Sequence, residues 1–540
     1  MSDPERSMER AALKGAATFN IDALLRPDAY PHPVSGPELI ETHVSWVILT
    51  GEVAYKIKKP VHFDFLDAST ADRRLRLCEE ELVQNRRLAP DLYLDVVPIG
   101  GTPDAPRVGA SGPALDHAVR MRQFDRSQEL SALLVRGEVG RQEVAKFAER
   151  LAAFHASGPP AGAQTRYGSL AQVSSEMLDN LAALVRQSEE SCLIPVPLRL
   201  DEWLRKALTV NRDLVQERKA GGAVRECHGD LHARNIVRWK AELVAFDCLE
   251  FDPALRWIDV ASDVAFLHMD LLGYARPDLA SVFLSAYLES GGDYQSLRVA
   301  RLYEVHRALV RAKVDGFAAL GASSPQRAEV SCARRERRIG LAAAIAGGAR
   351  PRLILMSGLS GSGKSWLSER LVPSLGLLRA RSDLERKRVS GMPAREHAPA
   401  AVGHGLYGRA ISGRTYAQLI ECAEHALAGG YGIIIDAAFL EVGQRDSFRE
   451  LAHRLAAPFL LVRCEADAEV LRRRVRERAA SDDPSDASLA VLEHQLATAR
   501  PLESRELPSA VIIDTSVNDA GLAAVHVVGA RLARVGRPQP

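Results

Sequence analysis

Eight residues, Gly358-Leu359-Ser360-Gly361-Ser362-Gly363-Lys364-Ser365, constrain this chain more than any other stretch. They fit the pattern GxxxxGK[ST], directly after an apolar run, Leu353 to Ser357, and directly before a segment that reads as helix. The spacing has a physical purpose. Glycines let consecutive backbone N–H groups turn inward onto phosphate oxygens, and the helix N-terminus adds its dipole. Lys364 is then placed to reach the outer phosphates of a nucleotide, and the Ser365 hydroxyl to ligate Mg2+. Such a loop needs a strand behind it and a helix ahead of it, and the flanking sequence agrees. Strands read at 353–357, near 377–380, 432–436, 458–463 and 510–514, with helical segments between them, among them 414–429. This alternation predicts an α/β domain: a doubly wound parallel sheet with helices on both faces.

The rest of the chain reads differently. At about 150 residues per domain, a length of 540 predicts three or four compact units. Pro/Gly/Ala-rich interruptions fall at 100–113, 157–164 and 344–352. The last is the strongest boundary and divides 1–345 from 350–540, with a basic amphipathic helix over 325–345 closing the first part. From about 40 to 125, apolar and polar residues alternate around one helical stretch near 71–88, which predicts a β-rich lobe. From about 127 to 345 the pattern is helical, broken by a short β-rich segment at 227–247. The first part is therefore expected to be an α+β unit of two lobes.

Composition excludes several classes. Lys+Arg 70 against Asp+Glu 69 leaves +1, which provides no global field for a polyanion, so no nucleic-acid partner is expected. No uncharged stretch approaches the length of a spanning helix and the start, MSDPERSMER, does not read as a leader, so no membrane partner and a cytoplasmic location are expected. Seven cysteines (Cys78, Cys192, Cys227, Cys248, Cys332, Cys422, Cys464) show no CxxC spacing and read as reduced thiols.

Around the phosphate loop, other residues complete a phosphoryl-transfer site. Asp436 ends the apolar run GIIID, where a carboxylate can hold Mg2+ or its water shell; capping the next helix is the alternative. Asp383, after the second strand, stands at the carboxyl edge of the sheet as a candidate base for an acceptor hydroxyl, again with a helix cap as the alternative. Arg386, one helical turn on, is placed to grip substrate. Arg474 and Arg478, four residues apart on one helix face, are candidates to close over the transferring phosphoryl group, unless that face is merely solvated. Residues 350–535 resemble the P-loop small-molecule kinases, a group with an AAA-type ATP-binding domain that includes gluconate kinase, polynucleotide kinase and zeta-toxin-like enzymes. Many related sequences read DATF where this chain has Asp436-Ala437-Ala438-Phe439, so a hydroxyl at position 438 is absent.

The sharpest signal in the first part is His228-Gly229-Asp230-Leu231-His232-Ala233-Arg234-Asn235. It resembles the catalytic loop of the aminoglycoside phosphotransferases and related kinase-like enzymes, a resemblance covering roughly 40–320. The resemblance implies that Asp230 accepts or orients the proton of an acceptor hydroxyl and that Asn235 ligates Mg2+. His228 is expected to fix the loop; His232 receives no role. The twelve residues from Asn235 to Asp247 leave room for two short strands turning near Trp239-Lys240, which would return Asp247 beside Asn235 as a second Mg2+ ligand. Asp259 and Asp263 resemble the family's aspartates that brace the loop, with plain surface placement as the alternative. Val53-Ala54-Tyr55-Lys56 resembles the kinase V-A-I-K strand, making Lys56 the expected phosphate lysine and Glu81 its partner. Lys58 shares the strand face of Lys56, and Glu80 neighbours Glu81, so both alternatives stay open. Met121 to Phe124 are expected to form the hinge that contacts adenine. No pattern locates the acidic pocket that a polycationic aminoglycoside requires, so antibiotic binding does not follow from the fold.

The expectation is an ATP-dependent bifunctional phosphotransferase with two independent ATP and Mg2+ sites, each acting on a hydroxyl of a small molecule. The alternative is a nucleotide-sensing regulatory ATPase in which one domain switches the other.

Overall fold

The computed structural model describes residues 19–63, 66–189, 193–348, 350–393, 408–478, 488–516 and 520–535. In the first lobe, alternation becomes antiparallel pairing. Strands β1 (Glu38–Glu41), β2 (Ser45–Leu49) and β3 (Val53–Lys58) are followed by a small hairpin, β4 (His62–Phe63) and β5 (Leu66–Asp67). Helix α1 (Ala71–Arg86) comes next, then β6 (Tyr93–Thr102), β7 (Ala105–Val108) and β8 (Asp116–Arg122). The sheet order is β1-β2-β3-β8-β6-β7. Trp46, Ile48, Tyr55 and Ile57 pack on one face against Phe19, Leu24 and Tyr30. Ala54 turns to the other face with Cys78 of α1, and the two-residue period carries Lys56 and Lys58 there too. Thr70 starts α1 by accepting the Arg73 N–H at 3.3 Å.

The second lobe is built from α2 (Leu130–Arg136), α3 (Arg141–Ser157), α4 (Leu170–Glu189), α5 (Leu198–Val210) and α6 (Arg212–Ala220). Short strands β9 (Val224–Glu226), β10 (Ile236–Trp239) and β11 (Glu242–Ala245) follow, then α7 (Pro253–Arg256) and β12 (Trp257–Asp259). The lobe ends with α8 (Val260–Gly273), α9 (Pro277–Gly291), α10 (Leu297–Leu320) and α11 (Pro325–Gly347). The β10–β11 hairpin turns at Lys240 and Ala241, whose φ angles are 49° and 65°, one residue later than expected from sequence.

The last unit alternates as its sequence predicts. It runs β13 (Leu353–Ser357), α12 (Lys364–Leu375), β14 (Leu378–Arg381), α13 (Ser382–Val389), α14 (Arg409–Ala428) and β15 (Ile433–Asp436). Then come α15 (Val442–Arg454), β16 (Phe459–Glu465), α16 (Ala468–Arg478), α17 (Leu489–Thr498), β17 (Ala510–Asp514) and α18 (Ala520–Val535). All pairings are parallel in the order β14-β15-β13-β16-β17. The loop after β13 therefore opens at the carboxyl end of the central strand, where the strand order reverses. The helical turn expected from Asp383 to Arg386 is α13, which abuts β14 without a loop; sequence reading did not anticipate α17.

The two units share a core. Alternate residues of the parallel sheet, Leu353, Leu355, Leu378, Ala380, Ile433 and Leu461, lie in one buried cluster with Leu279, Phe283, Leu284 and Leu288 of α9. Each such buried side chain contributes about 2 kcal/mol relative to exposure, so α9 is anchored to both units. Among the described residues no helix is long and apolar enough to cross a membrane. Cys78, Cys227, Cys248, Cys332, Cys422 and Cys464 are free thiols; Cys192 and the first 18 residues lie outside the described residues.

Candidate functional site

The loop His228–Asn235 spans β9 to β10 and is held from beneath by Asp263. The wholly buried Asp263 carboxylate accepts the N–H groups of His228 and Gly229, both at 3.0 Å, and lies 3.2 Å from His155 Nε2. Burial pushes this carboxyl up, but the His155 contact and the loop amide outweigh it and hold Asp263 below the usual range. Gly229 has φ 85°, and a Cβ there would stand 2.8 Å from Leu255 O, so the turn requires glycine. Asp259 does a different job. It caps α8 by accepting the Ala261 N–H at 2.9 Å and pairs with Arg218 at 2.7 and 2.8 Å.

Above this brace, Asn235 Nδ2 donates to both the carbonyl and Oδ2 of Asp230 at 3.0 Å. His232 accepts the Arg234 N–H on Nδ1 at 3.2 Å, which sets the tautomer whose Nε2–H faces Asp230 Oδ2 at 3.3 Å. Oδ2 of Asp230 is thus occupied twice, leaving Oδ1 for another partner. Burial raises the Asp230 carboxyl, and His232, Arg311 and His228 together outweigh it and hold Asp230 below the usual carboxylate range. His228 accepts the Asp230 N–H on Nδ1 at 3.3 Å and directs Nε2 at Phe246 O at 2.9 Å, which locks the loop.

The β10–β11 hairpin returns Asp247 to Asn235: the Phe246 N–H donates to Asn235 O at 2.9 Å. Asp247 itself has φ 62° and donates its N–H to the Tyr93 hydroxyl at 3.1 Å. Its carboxylate, 44% exposed, lies 2.5 Å from Lys56 Nζ, whose second partner is Glu81 at 2.7 Å. Lys58 takes the other oxygen of Glu81 at 2.5 Å and Glu250 at 2.5 Å, and is 2% exposed. Lys56 is therefore the lysine beside Asp247, and Lys58 the deeper one. Glu80 points away, to Arg256 and to Gln84 at 3.0 Å. Burial alone would raise the Glu81 carboxyl and lower both lysines; the ion pairs dominate, holding Glu81 low and the lysines high. Asn85, one turn after Glu81, donates to Glu81 O and accepts the Cys248 N–H, both at 2.9 Å, which ties α1 to the Asp247 segment. At the expected hinge, Gln123 donates its N–H to Glu52 O at 2.9 Å, and Phe124 stands edge-on to Phe246 at 4.9 Å.

The phosphate loop borders a cavity of about 950 Å³ lined by Ser360, Lys364, Ser365, Asp383, Arg386 and Asp436 among others. Gly358, Gly361 and Gly363 have φ of 142°, 80° and 79°, and a Cβ on Gly358 would meet Cys464 O at 2.3 Å. Lys364 Nζ donates to Leu359 O at 2.8 Å, and the Ser360 N–H to Gln495 Oε1 at 2.8 Å. Ser362 O accepts the Thr515 hydroxyl at 2.9 Å. Neither cap alternative is taken up. Arg381 holds the N-cap of α13, leaving Asp383 in its first turn, and Glu441, not Asp436, caps α15. Ala438 lines the cavity as well, and its carbonyl accepts the Gly358 N–H at 3.1 Å.

Arg474 departs from its expected position. It is not among the cavity-lining residues; its guanidinium meets Gly361 O at 3.3 Å, Thr515 Oγ1 at 3.2 Å and Thr515 O at 2.7 Å. It ties the loop to the segment after β17 because the turns of α16 place it against the loop's outer side. Arg478 ends the same helix, and its side chain lies outside the described residues.

Sequence reading gave no role to His232, which its motif contained, and missed Tyr93, Asn85, Glu250, Gln495 and Thr515. Of the five missed, only Asn85 had a local signal, its i, i+4 relation to Glu81.

Both donor sets suit Mg2+, which takes oxygen ligands and binds through carboxylates plus phosphates. Asp247 presents an exposed carboxylate beside Asn235, whose amide nitrogen is already engaged. Ser365 and Asp436 supply a hydroxyl and a carboxylate to one cavity.

A family described as AAA domain matches residues 353–502. The chain is 30% identical over 462 residues to the uncharacterized protein Rv2004c of Mycobacterium tuberculosis, covering 85% of this chain and 90% of that one. It is similar to a gluconokinase structure from Sinorhizobium meliloti 1021, with 20% identity and TM-score 0.25 over 35% of this chain and 99% of that chain. It is also similar to a choline/ethanolamine kinase family protein from Mesorhizobium loti, with 14% identity and TM-score 0.35 over 62% of this chain and 98% of that chain. One chain thus joins a unit with a six-stranded antiparallel sheet and a helical lobe to a parallel-sheet unit that carries the phosphate loop and the family match.

Proposed function

The chain belongs to the same family as the M. tuberculosis protein Rv2004c, and on that premise we propose that it is an ATP-dependent phosphotransferase with two active sites, each acting on a hydroxyl of a small molecule. One observation carries this reading. Each unit gathers, in one place, a lysine suited to phosphate, hard oxygen ligands suited to Mg2+, and a carboxylate suited to a hydroxyl proton. A degenerate nucleotide sensor has no need to keep all three.

When bound, Mg2+ with ATP supplies the transferable γ-phosphoryl group and the neutralising charge that lets a hydroxyl oxygen approach it. In the kinase-like unit, Lys56 fixed by Glu81 holds phosphate oxygens, and Asn235 and Asp247 hold the metal. Asp230 offers Oδ1 to the acceptor hydroxyl and takes or orients its proton while Asn235 and His232 fix the other oxygen. In the P-loop unit, the backbone of residues 358–365 and Lys364 cradle phosphates, Ser365 and Asp436 hold the metal, and Asp383 receives the acceptor proton. Arg474 positions the loop through Gly361 and Thr515. Arg478 is retained as the candidate lid arginine, and Arg386 as a substrate contact.

The test is ADP release by the full chain against sugars, polyols, nucleosides and aminoglycosides, repeated with Asp230→Ala and Lys364→Ala. Acceptors that stimulate release in the wild type and lose their effect in one variant each support the proposal. Failure of every hydroxyl compound to stimulate release contradicts it.

A further inference from the structure

Helix α9 belongs to the helical lobe, yet its C-terminal end is built into the P-loop unit. β14 is an edge strand, and an uncovered edge presents unpaired backbone groups. α9 and the turn after it cover this one. The Tyr294 hydroxyl donates to Arg379 O at 2.9 Å, Ser281 Oγ to Val372 O at 3.2 Å, and Arg388 to Glu289 O at 2.8 Å. The Glu289 side chain meets Arg379 in a two-pronged pair, Nε to Oε1 at 2.6 Å and NH2 to Oε2 at 3.2 Å, with both side chains 13% exposed. The remaining Arg379 nitrogen, NH1, donates to Ser368 Oγ at 3.3 Å. Ser368 Oγ in turn lies 3.0 Å from Asp436 Oδ2 and 3.1 Å from Ser365 O. A continuous polar path runs from the kinase-like unit to the two residues assigned to Mg2+ in the other.

We propose that Glu289 is a positioning residue for the P-loop site: by neutralising Arg379 it keeps that guanidinium from pairing with Asp436, and so leaves the carboxylate available to a divalent cation. This rests on the reading of Ser365 and Asp436 as the Mg2+ ligands. The physics is competition for one counter-charge. A buried guanidinium stripped of its carboxylate is strongly unfavourable, and the carboxylate one hydrogen-bonded residue away is Asp436. Burial lowers the proton affinity of Arg379, while Glu289 first and Asp436 after it raise it further, so the group stays charged. The same helix also reaches the other site. The Tyr287 hydroxyl lies 2.8 Å from His155 Nδ1, and His155 Nε2 faces the Asp263 brace at 3.2 Å. Positions two apart are about 200° apart around a helix, so Tyr287 and Glu289 face opposite units.

The experiment measures mant-ATP binding to the full chain as MgCl2 is titrated, with Lys56→Met in every variant to confine binding to the P-loop site. Glu289→Gln is expected to raise the Mg2+ concentration for half-maximal binding about fivefold or more, with binding recovered at saturating Mg2+. Glu289→Gln/Arg379→Gln, which removes the competing charge as well, is expected to return within about twofold of the parent. An unchanged Mg2+ requirement in Glu289→Gln, or a double variant as impaired as the single one, overturns the proposal. Arg379→Gln alone keeps the test alive if Glu289→Gln does not fold: it is expected to need no more Mg2+ than the parent, and a raised requirement overturns the proposal. A Lys364→Ala control separates the two levels. If the parent does not bind mant-ATP, or Lys364→Ala binds it equally well, the reading of the loop itself fails and the proposal falls with it.

Discussion

In the N-terminal unit Lys56 is held between two carboxylates, Glu81 and Asp247, whereas in the P-loop unit Lys364 donates to the carbonyl of Leu359. The contrast extends outward. Around Lys56 the supports are mainly charges, Glu81 and Asp247 with Lys58 and Glu250 behind them, while the neutral Tyr93 and Asn85 hold the Asp247 segment. Around Lys364 backbone groups and neutral side chains predominate, with one charged tie: Ser360 on Gln495, Ser362 on Thr515, three glycines at positive φ, and Arg474 on Gly361 O. The first site keeps its charges balanced by pairing them with one another. The second is a shaped loop in which the N–H groups of Gly358, Ser360 and Ser362 are held by Ala438 O, Gln495 Oε1 and Leu359 O. Charge substitutions should therefore damage the first site most, and shape substitutions the second.

The largest effects should fall on catalysis itself. Asp230→Ala and Lys364→Ala are each expected to lower acceptor-stimulated ADP release at their own site by about a thousandfold or more, because each removes a group acting on the transferring atoms. Equal loss at both sites from either change would break the comparison. Next comes Glu81→Gln, which takes a buried charge from between two lysines. It is expected to destabilise the first unit by about 3–5 kcal/mol, read from urea unfolding followed by circular dichroism. Its counterpart in the second unit, Gln495→Ala, removes one neutral hydrogen bond from Ser360 and should cost only about 1 kcal/mol. Similar costs for the two would mean that the charge pairing is not what holds the first site.

The smallest effect is a pH dependence that sharpens the same contrast. Glu81 is held below its ordinary value of 4.5 by Lys56 and Lys58, which outweigh its burial. A carboxyl depressed on folding contributes stability that is complete above the unfolded value and is lost as pH falls through the folded one. The stability gap between wild type and Glu81→Gln should therefore be full near neutral pH and shrink once pH drops below about 4.5. A gap that stays constant into acid would show that Glu81 acts through packing alone.

What was legible in the sequence was local. The strand, loop and helix around 358–365 were readable because glycine, lysine and serine requirements fall within eight consecutive residues. The return of Asp247 to Asn235 was readable because a hairpin closes it, and the turn was displaced by only one residue. Lys56 was expected over Lys58 only by its likeness to the V-A-I-K strand, since a two-residue period puts both on one face; the long-range partners, Asp247 and Glu250, separate them. The start of α13 was not legible because it begins at Ser382, immediately after β14, with no turn residue to mark it. Arg474 was expected over the cavity because helix spacing gives a face but not its direction. Its partners, Gly361 and Thr515, lie 113 and 41 residues away. Glu289 gave no signal at all, as its meaning depends on an edge strand 90 residues downstream.

The central claim is that one chain carries two separate sites for ATP and Mg2+. Calorimetric titration of the full chain with a non-hydrolysable ATP analogue in saturating Mg2+ tests it most directly. The account predicts two nucleotides bound per wild-type chain, and one in either Lys56→Met or Lys364→Ala. A single nucleotide in the wild type, or the loss of both from either substitution, would contradict it.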